Sequence, residues 1–243
     1  MKRVVLADGR VAVVKRHSDS SAVLAEVAGL RWLGSLAADV LEHSDDSLTV
    51  EYVEPGAPTA RAAEEFGRDL ARMHFSGAPA FGSPPPGGPV DAWIGLAPMR
   101  NVVGDDWPSW YASHRLLPYL SSIDSVAEVC ARISEFAGPP EPPARLHGDL
   151  WSGNVLWTSG RTRLIDPAAH GGHRETDLAM LALFGCPHLD RIIAAYEEIA
   201  PLADGWRSRV PLHQLFPLLV HTVLFGGGYA RQADEAARAV LGR

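Results

Sequence analysis

Apolar runs at residues 4–6 and 11–14 flank Asp8-Gly9, whose glycine accepts the positive φ of a tight turn, so the chain is expected to open with a β-hairpin. Ser18 or Asp19 can cap a helix reaching about residue 37, and on it Ala22, Leu24, Val27, Leu30 and Leu33 recur at helical spacing and are expected to face the sheet. Two more strands, 39–42 and 48–53, enclose the polar turn 43–47, and Pro55-Gly56 breaks the sheet. Thr59 then caps an amphipathic helix over 59–75, with Ala63, Phe66, Leu70, Met73 and His74 on one face. Residues 76–89 carry too much Gly and Pro for regular structure, and 91–106 reads as an ordered loop anchored by Trp93, Ile94 and Trp107. Helices are expected over 107–120 and 124–136, ending at the breaker run 138–143. The central stretch, 145–166, alternates short strands with turns: Arg145-Leu146 enters a His-Gly-Asp turn, 155–157 is a β-branched and aromatic run, and Ser159-Gly160 turns into a strand over 162–165. A helix beginning near Glu175 and three more, over 187–199, 205–229 and 232–241, complete the chain, with Phe216, Leu219, Val223 and Leu224 as a core stripe. No internal repeat interrupts this order, which is that of an α+β protein with its strands gathered early.

Length and composition narrow the class of function. With 243 residues the chain can bury a large core in one domain or two lobes, and 47% hydrophobic with 21% charged residues is ordinary for a globular protein. A net charge of -7 argues against nucleic-acid binding, which asks for a basic stripe. Cys130 and Cys186 lie far apart in apolar helical contexts, so they are expected to be core residues in a reducing compartment rather than a disulfide. The N-terminus has basic residues but no apolar stretch of signal-peptide length, and no stretch is long enough to span a bilayer, so a cytoplasmic protein with no membrane partner is expected.

The chemistry concentrates in the central stretch. Asp149, Asn154 and Asp166 are brought to one end of a hairpin, and His147-x-Asp149-x-x-x-x-Asn154 has the spacing of a kinase catalytic loop, with Gly148 where protein kinases usually carry Arg. Each residue alone is an ordinary turn former. Together they match the division of labour of phosphoryl transfer: Asp149 is expected to accept or orient the proton of an attacking hydroxyl, and Asn154 and Asp166 to hold Mg2+ against nucleotide phosphates. Lys15 leaves a buried strand, where an isolated lysine is commonly a snorkelling surface residue, but Glu26 follows eleven positions later on the helix, where a kinase places the carboxylate that orients such a lysine. Val50 is expected to line an adenine pocket, with the backbone of Glu51 and Val53 facing the adenine edge. His173 and Arg174, a short loop beyond Asp166, are site candidates. Glu175 and Asp177 read equally as first-turn helix carboxylates and as site residues. The histidines lack close ligand spacing to one another or to cysteine, which gives zinc no support.

Several longer runs resemble the fructosamine kinase family, the ketosamine-3-kinases. They are LHGDLWSGNV over 146–155, IDPAAHGGHRETDLAM over 165–180 with LFG at 183–185, and LFGGGYA over 224–230. Phe81-Gly82, the WIG at 93–95, Asn101, Trp107 and RLLPYL over 115–120 agree with it, and the resemblance runs from Lys15 almost to the C-terminus. It implies a two-lobed protein-kinase-like fold: a small β-rich N-lobe over 1–54, expected to lack its first strand and phosphate loop, and a mainly helical C-lobe over 55–243, with a hinge near 51–56. It also implies ATP and Mg2+ as cofactors and a ketosamine acceptor, small or protein-bound, phosphorylated on its 3-hydroxyl so that the glycated amine is recovered. By position, Asp149 is the base, Asn154 and Asp166 bind the metal, Lys15 and Glu26 secure the nucleotide, and Trp151, His173 and Arg174 lie near the acceptor sugar. The chain departs from the family at Ala92, where an Asn usually stands, and at His170-Gly171, where paired aromatics are usual. Those departures keep open a kinase for an aminoglycoside or another sugar, and the short N-lobe keeps open a nucleotide-binding pseudokinase.

Overall fold

The computed structural model describes residues 1–158 and 161–243. The expected Ser159-Gly160 turn lies outside them. Strands β1 (Lys2–Val5) and β2 (Val11–Arg16) form the opening hairpin, with Gly9 at φ 85° in its turn. Helix α1 (Ser20–Leu33) follows, capped by Asp19, whose carboxylate accepts the Ser21 N–H at 2.8 Å. Strands β3 (Val40–His43) and β4 (Ser47–Glu51) complete an antiparallel sheet in the order β1-β2-β4-β3. α1 buries Val23, Val27, Leu30 and Leu33, and also Glu26, but not Leu24, which is 46% exposed because it lies one residue, about 100° of turn, from the buried stripe.

Helix α2 (Ala60–Phe75) begins as expected at Thr59, whose hydroxyl accepts the Ala62 N–H at 3.2 Å. It packs closely on a later helix because Gly67 has no side chain, and a Cβ there would stand 2.2 Å from the Ile192 carbonyl oxygen. Some elements differ from the sequence reading. The 91–106 segment holds a hairpin, β5 (Asp91–Ile94) and β6 (Ala97–Arg100). The expected helix over 107–120 is instead α3 (Trp107–Tyr111), a π turn over 112–116 and a 3-10 turn into which Pro118 falls, a residue that cannot donate to a continuing helix.

The remaining elements are α4 (Asp124–Ala131), β7 (Ala144–Leu146), β8 (Val155–Leu156), β9 (Arg163–Leu164), β10 (His170–Gly172), α5 (Glu175–Leu183), α6 (Leu189–Ile199), α7 (Trp206–Phe225) and α8 (Tyr229–Val240). α7 stops at Phe225, short of the expected 229, since Gly226 and Gly227 both take φ of 62°. Val223 near its end is 56% exposed and leaves the core stripe to Phe216 and Leu219. Cys130 and Cys186 are free and partly buried. Among the described residues no helix is long and apolar enough to cross a membrane.

Apolar side chains gather in two clusters. One joins Val23, Leu48 and Val50 from the sheet region to Phe66, Leu70, Leu150, Leu164 and Tyr196, so this core is continuous across residue 54. The other packs β5–β6, α3 and α4 against α7 and α8. Polar straps fasten the β8–β9 hairpin beneath the sheet: Ala38 N–H donates to the Leu164 carbonyl at 2.9 Å, Gly56 N–H to Trp157 at 2.6 Å, and Arg163 reaches Glu51 at 2.8 Å and the Ser35 carbonyl at 2.7 Å. These straps set the central stretch against the end of β2 that carries Lys15.

Candidate active site

The His-Gly-Asp turn is built around a glycine and anchored from below. Gly148 has φ 82°, and a Cβ on it would stand 2.1 Å from the Ala168 carbonyl oxygen, which accounts for glycine where protein kinases carry arginine. The backbone N–H groups of His147 and Gly148 donate to the two carboxylate oxygens of Asp177, at 2.7 and 2.9 Å. Asp177 is buried, and its carboxylate also meets His74 Nε2 at 3.1 Å, while His74 Nδ1 meets the Tyr196 hydroxyl at 2.8 Å. Burial alone would raise the Asp177 pKa, but His74, His147 and the Gly148 N–H hold it below the ordinary carboxylate value. His147 Nδ1 accepts the Asp149 N–H at 3.2 Å, which puts the ring proton on Nε2, and that nitrogen reaches the Ile165 carbonyl at 2.9 Å. One imidazole thereby couples Asp149 to the strand end preceding Asp166.

Around this turn the expected residues converge. Asn154 donates through Nδ2 to the Asp149 carbonyl at 2.8 Å and to Asp149 Oδ2 at 3.3 Å. Burial, reinforced by the charges of Asp166 and Asp177 and opposed by the Asn154 bond, pushes the Asp149 carboxyl up to about 7. That is the range in which a carboxylate serves as a general base at neutral pH. Lys15 Nζ bonds Glu26 at 2.5 Å and also Asp166, whose backbone sits at φ 55°. Burial acts to lower the Lys15 pKa, but Glu26 and Asp166 outweigh it, so the ammonium stays charged. Glu26 is held below its ordinary value against its own burial by His17, 3.2 Å from its second oxygen, and by Lys15. Val50 is buried on β4, Glu51 ends that strand with its carboxylate on Arg163, and Val53 lies in the segment leading to α2.

Asn154 and Asp166 fit a divalent cation. Because Asn154 commits its Nδ2 to Asp149, its Oδ1 is the atom left as a ligand, and the Asp166 side chain is one-third exposed, at 33%. An amide oxygen and a carboxylate are the hard donors that Mg2+ takes, together with phosphate oxygens.

The acceptor-side expectation fares differently for its three residues. Trp151 is 40% exposed beside Asp149 and meets Phe184 edge-on at 6.4 Å; Phe184 lies 4.9 Å from His221, which is 5.3 Å from Phe225 and 5.1 Å from Tyr229. An aromatic surface therefore starts at Trp151. Only the meeting of α5, α7 and α8 with the His-Gly-Asp turn reveals it. His173 and Arg174 are not brought to this surface. His173 is buried between Trp107 and His213, with ring centroids at 4.7 and 4.8 Å. Arg174 forks onto Glu141 at 2.6 and 2.7 Å and donates to the carbonyls of Ala200 and Pro201, so its guanidinium is spent on holding loops. The fold also gathers His173, Glu175 and His213, which the sequence showed only as scattered. Arg209 takes both oxygens of Glu175, at 2.9 and 2.5 Å, which makes the group a charge and hydrogen-bond network rather than a metal centre.

The fructosamine kinase family model matches residues 25–243. The chain belongs to the fructosamine kinase family. A probable ketoamine kinase of Synechocystis sp. is 34% identical over 203 residues, covering 80% of this chain and 67% of that protein. A crystal structure from Thermobifida fusca, of a protein assigned as a fructosamine-3-kinase, superposes with a TM-score of 0.92 at 47% identity over 99% of this chain and 89% of its own. A choline kinase of Streptococcus pneumoniae, 15% identical, shares the fold with a TM-score of 0.64 over 96% of this chain and 87% of its own. This fructosamine kinase family member thus has the protein-kinase-like α+β fold and is an ATP-dependent phosphotransferase.

Proposed function

We propose that this kinase transfers the γ-phosphoryl group of ATP to the 3-hydroxyl of a ketosamine, the sugar adduct that glycation leaves on an amine. The observation that carries the reading is the convergence of Asp149, Asn154, Asp166 and Lys15 on one turn, within a chain of the fructosamine kinase family. Asp149 takes the proton as the acceptor O–H bond breaks and the oxygen bonds phosphorus; the bond from phosphorus to the bridging oxygen breaks with its electron pair, which leaves on ADP. Lys15, oriented by Glu26, neutralises nucleotide phosphate charge. Asn154 and Asp166 would hold Mg2+, which supplies charge stabilisation for the transferred group. Trp151 offers an aromatic face to the sugar. The resulting 3-phosphate makes the adduct labile and frees the amine, a repair role suited to the cytoplasm, with a free or protein-bound ketosamine as partner.

The test is ADP release from Mg-ATP with fructosyl-lysine, ribulosyl-lysine and an aminoglycoside panel, with Asp149→Asn as control. Stimulation by a ketosamine that disappears in the control is the expected outcome. Stimulation by an aminoglycoside alone would replace the acceptor class and leave the phosphotransferase intact.

A further inference from the structure

Arg115, on the π turn after α3, heads the fully buried side chains by size and is 1% exposed. Its Nη1 donates to the carbonyls of Arg100 at 3.0 Å and His114 at 3.1 Å, and its Nη2 to Asn101 Oδ1 at 2.9 Å. Trp110 and Phe216 stack on it, with centroids 4.6 and 5.7 Å away. Among the described residues no carboxylate pairs with it; the phenols of Tyr119 and Tyr111 act to raise its pKa, and its charge in turn helps to keep the buried His170 neutral. Those hydroxyls point elsewhere, Tyr119 to the Pro98 carbonyl and Tyr111 to those of Leu212 and His213. Burial lowers the guanidinium pKa only to about 10, so the charge persists at neutral pH.

The hydrogen-bond inventory around this charge does not close. A guanidinium only donates, so Asn101 must turn Oδ1 toward it, which fixes the amide and points Nδ2 elsewhere. Arg115 Nε and Asn101 Nδ2 are both buried without an acceptor. Two orphaned donors, on side chains bonded to each other and only 1% exposed, stand beside an unpaired positive charge. Burial of that kind is costly unless an acceptor and an opposite charge are present. Water would supply an acceptor without the charge, and full enclosure leaves no access for a phosphate ester.

We propose that Arg115 and Asn101 form an internal binding site for a small inorganic monovalent anion of chloride size, held at Arg115 Nε and Asn101 Nδ2. The site fastens the end of β6 to the π turn, and neither of its residues bonds a residue assigned to phosphoryl transfer, so it acts on stability.

Bromide serves as the probe. The full chain is crystallised in sodium bromide for anomalous scattering, and its unfolding is measured at constant ionic strength in sodium bromide and in sodium gluconate, whose anion is too large to enter. An anomalous peak in contact with Arg115 Nε is expected, together with an unfolding constant that falls about tenfold at a bromide concentration ten times the Kd. Asn101→Asp supplies a built-in carboxylate, and it should stay folded in gluconate with no bromide dependence. Absence of bromide at Arg115, a water in its place, unfolding of the wild-type chain indifferent to bromide, or an Asn101→Asp chain as bromide-dependent as the wild type would each overturn the site.

Discussion

Asp177 accepts the Gly148 N–H at 2.9 Å with one oxygen while its other takes the His147 N–H at 2.7 Å, so a carboxylate 29 residues further along the chain holds the backbone of the His-Gly-Asp turn. Asp177→Ala would leave two buried donors without acceptors, at about 1–3 kcal/mol each. Folded Asp177→Ala is expected to lose most of its kcat while its ATP affinity changes little, because Lys15 and Glu26 are untouched. Urea unfolding with parallel kcat and ATP binding measurements checks this, and unchanged kcat in the folded variant would remove Asp177 from the positioning role.

Under the proposed mechanism Lys15, which contacts both Glu26 and Asp166, binds the nucleotide. Lys15→Met removes the charge while keeping much of the stem, and should raise the ATP KM by at least tenfold, equivalent to ~1.4 kcal/mol. Glu26→Gln keeps the lysine but loosens its aim and should act in the same direction by less. Isothermal titration with Mg-ATP separates the two, and an unchanged affinity in Lys15→Met would place the lysine outside the site.

Gly148→Ala forces a Cβ against the Ala168 carbonyl at a backbone angle that suits glycine. The expected result is a destabilisation larger than the roughly 1 kcal/mol usual for a residue ill-suited to its backbone, with loss of turnover in the remaining folded protein. Near-native melting with full activity would show that the turn relaxes freely.

Buried histidines make the fold acid-sensitive. Burial holds His170 neutral, with its pKa lowered to about 3, and burial lowers His213 as well, both from an ordinary 6.5. The unfolded chain takes up these protons as pH falls through 6.5 and the folded chain does not, so their contribution to stability is complete above 6.5 and declines below it. At pH 5 His170 accounts for up to about 2 kcal/mol, and His213 acts in the same direction. Urea midpoints at pH 7 and pH 5 measure the difference, and equal midpoints would mean that the rings are charged inside the fold.

The residues that chemistry reads by spacing were legible before the fold. The Asp149 to Asn154 interval is local, the Lys15 to Glu26 interval follows a strand and a helix with clear periodicity, and Asp19 and Thr59 cap as their side chains suggest. Residues whose partners are distant in sequence were not. Asp177 looks like any first-turn carboxylate until the His147 and Gly148 backbone arrives above it, and Arg174 looks free until Glu141 is found against it. Helix continuity failed for the same reason at residues 112–119, where Arg115 is drawn inward to the carbonyls of Arg100 and His114.

The central claim is that Asp149 activates the 3-hydroxyl of a ketosamine toward ATP. Its most direct test is phosphorus–proton correlation NMR on the product formed from fructosyl-lysine and Mg-ATP, run beside Asp149→Asn. A phosphorus coupled to the proton on carbon 3, formed ~10²–10⁴-fold more slowly by the variant, is the expected result, since general-base assistance has that size. Phosphate on another hydroxyl, or an Asp149→Asn rate equal to that of the wild type, would contradict it.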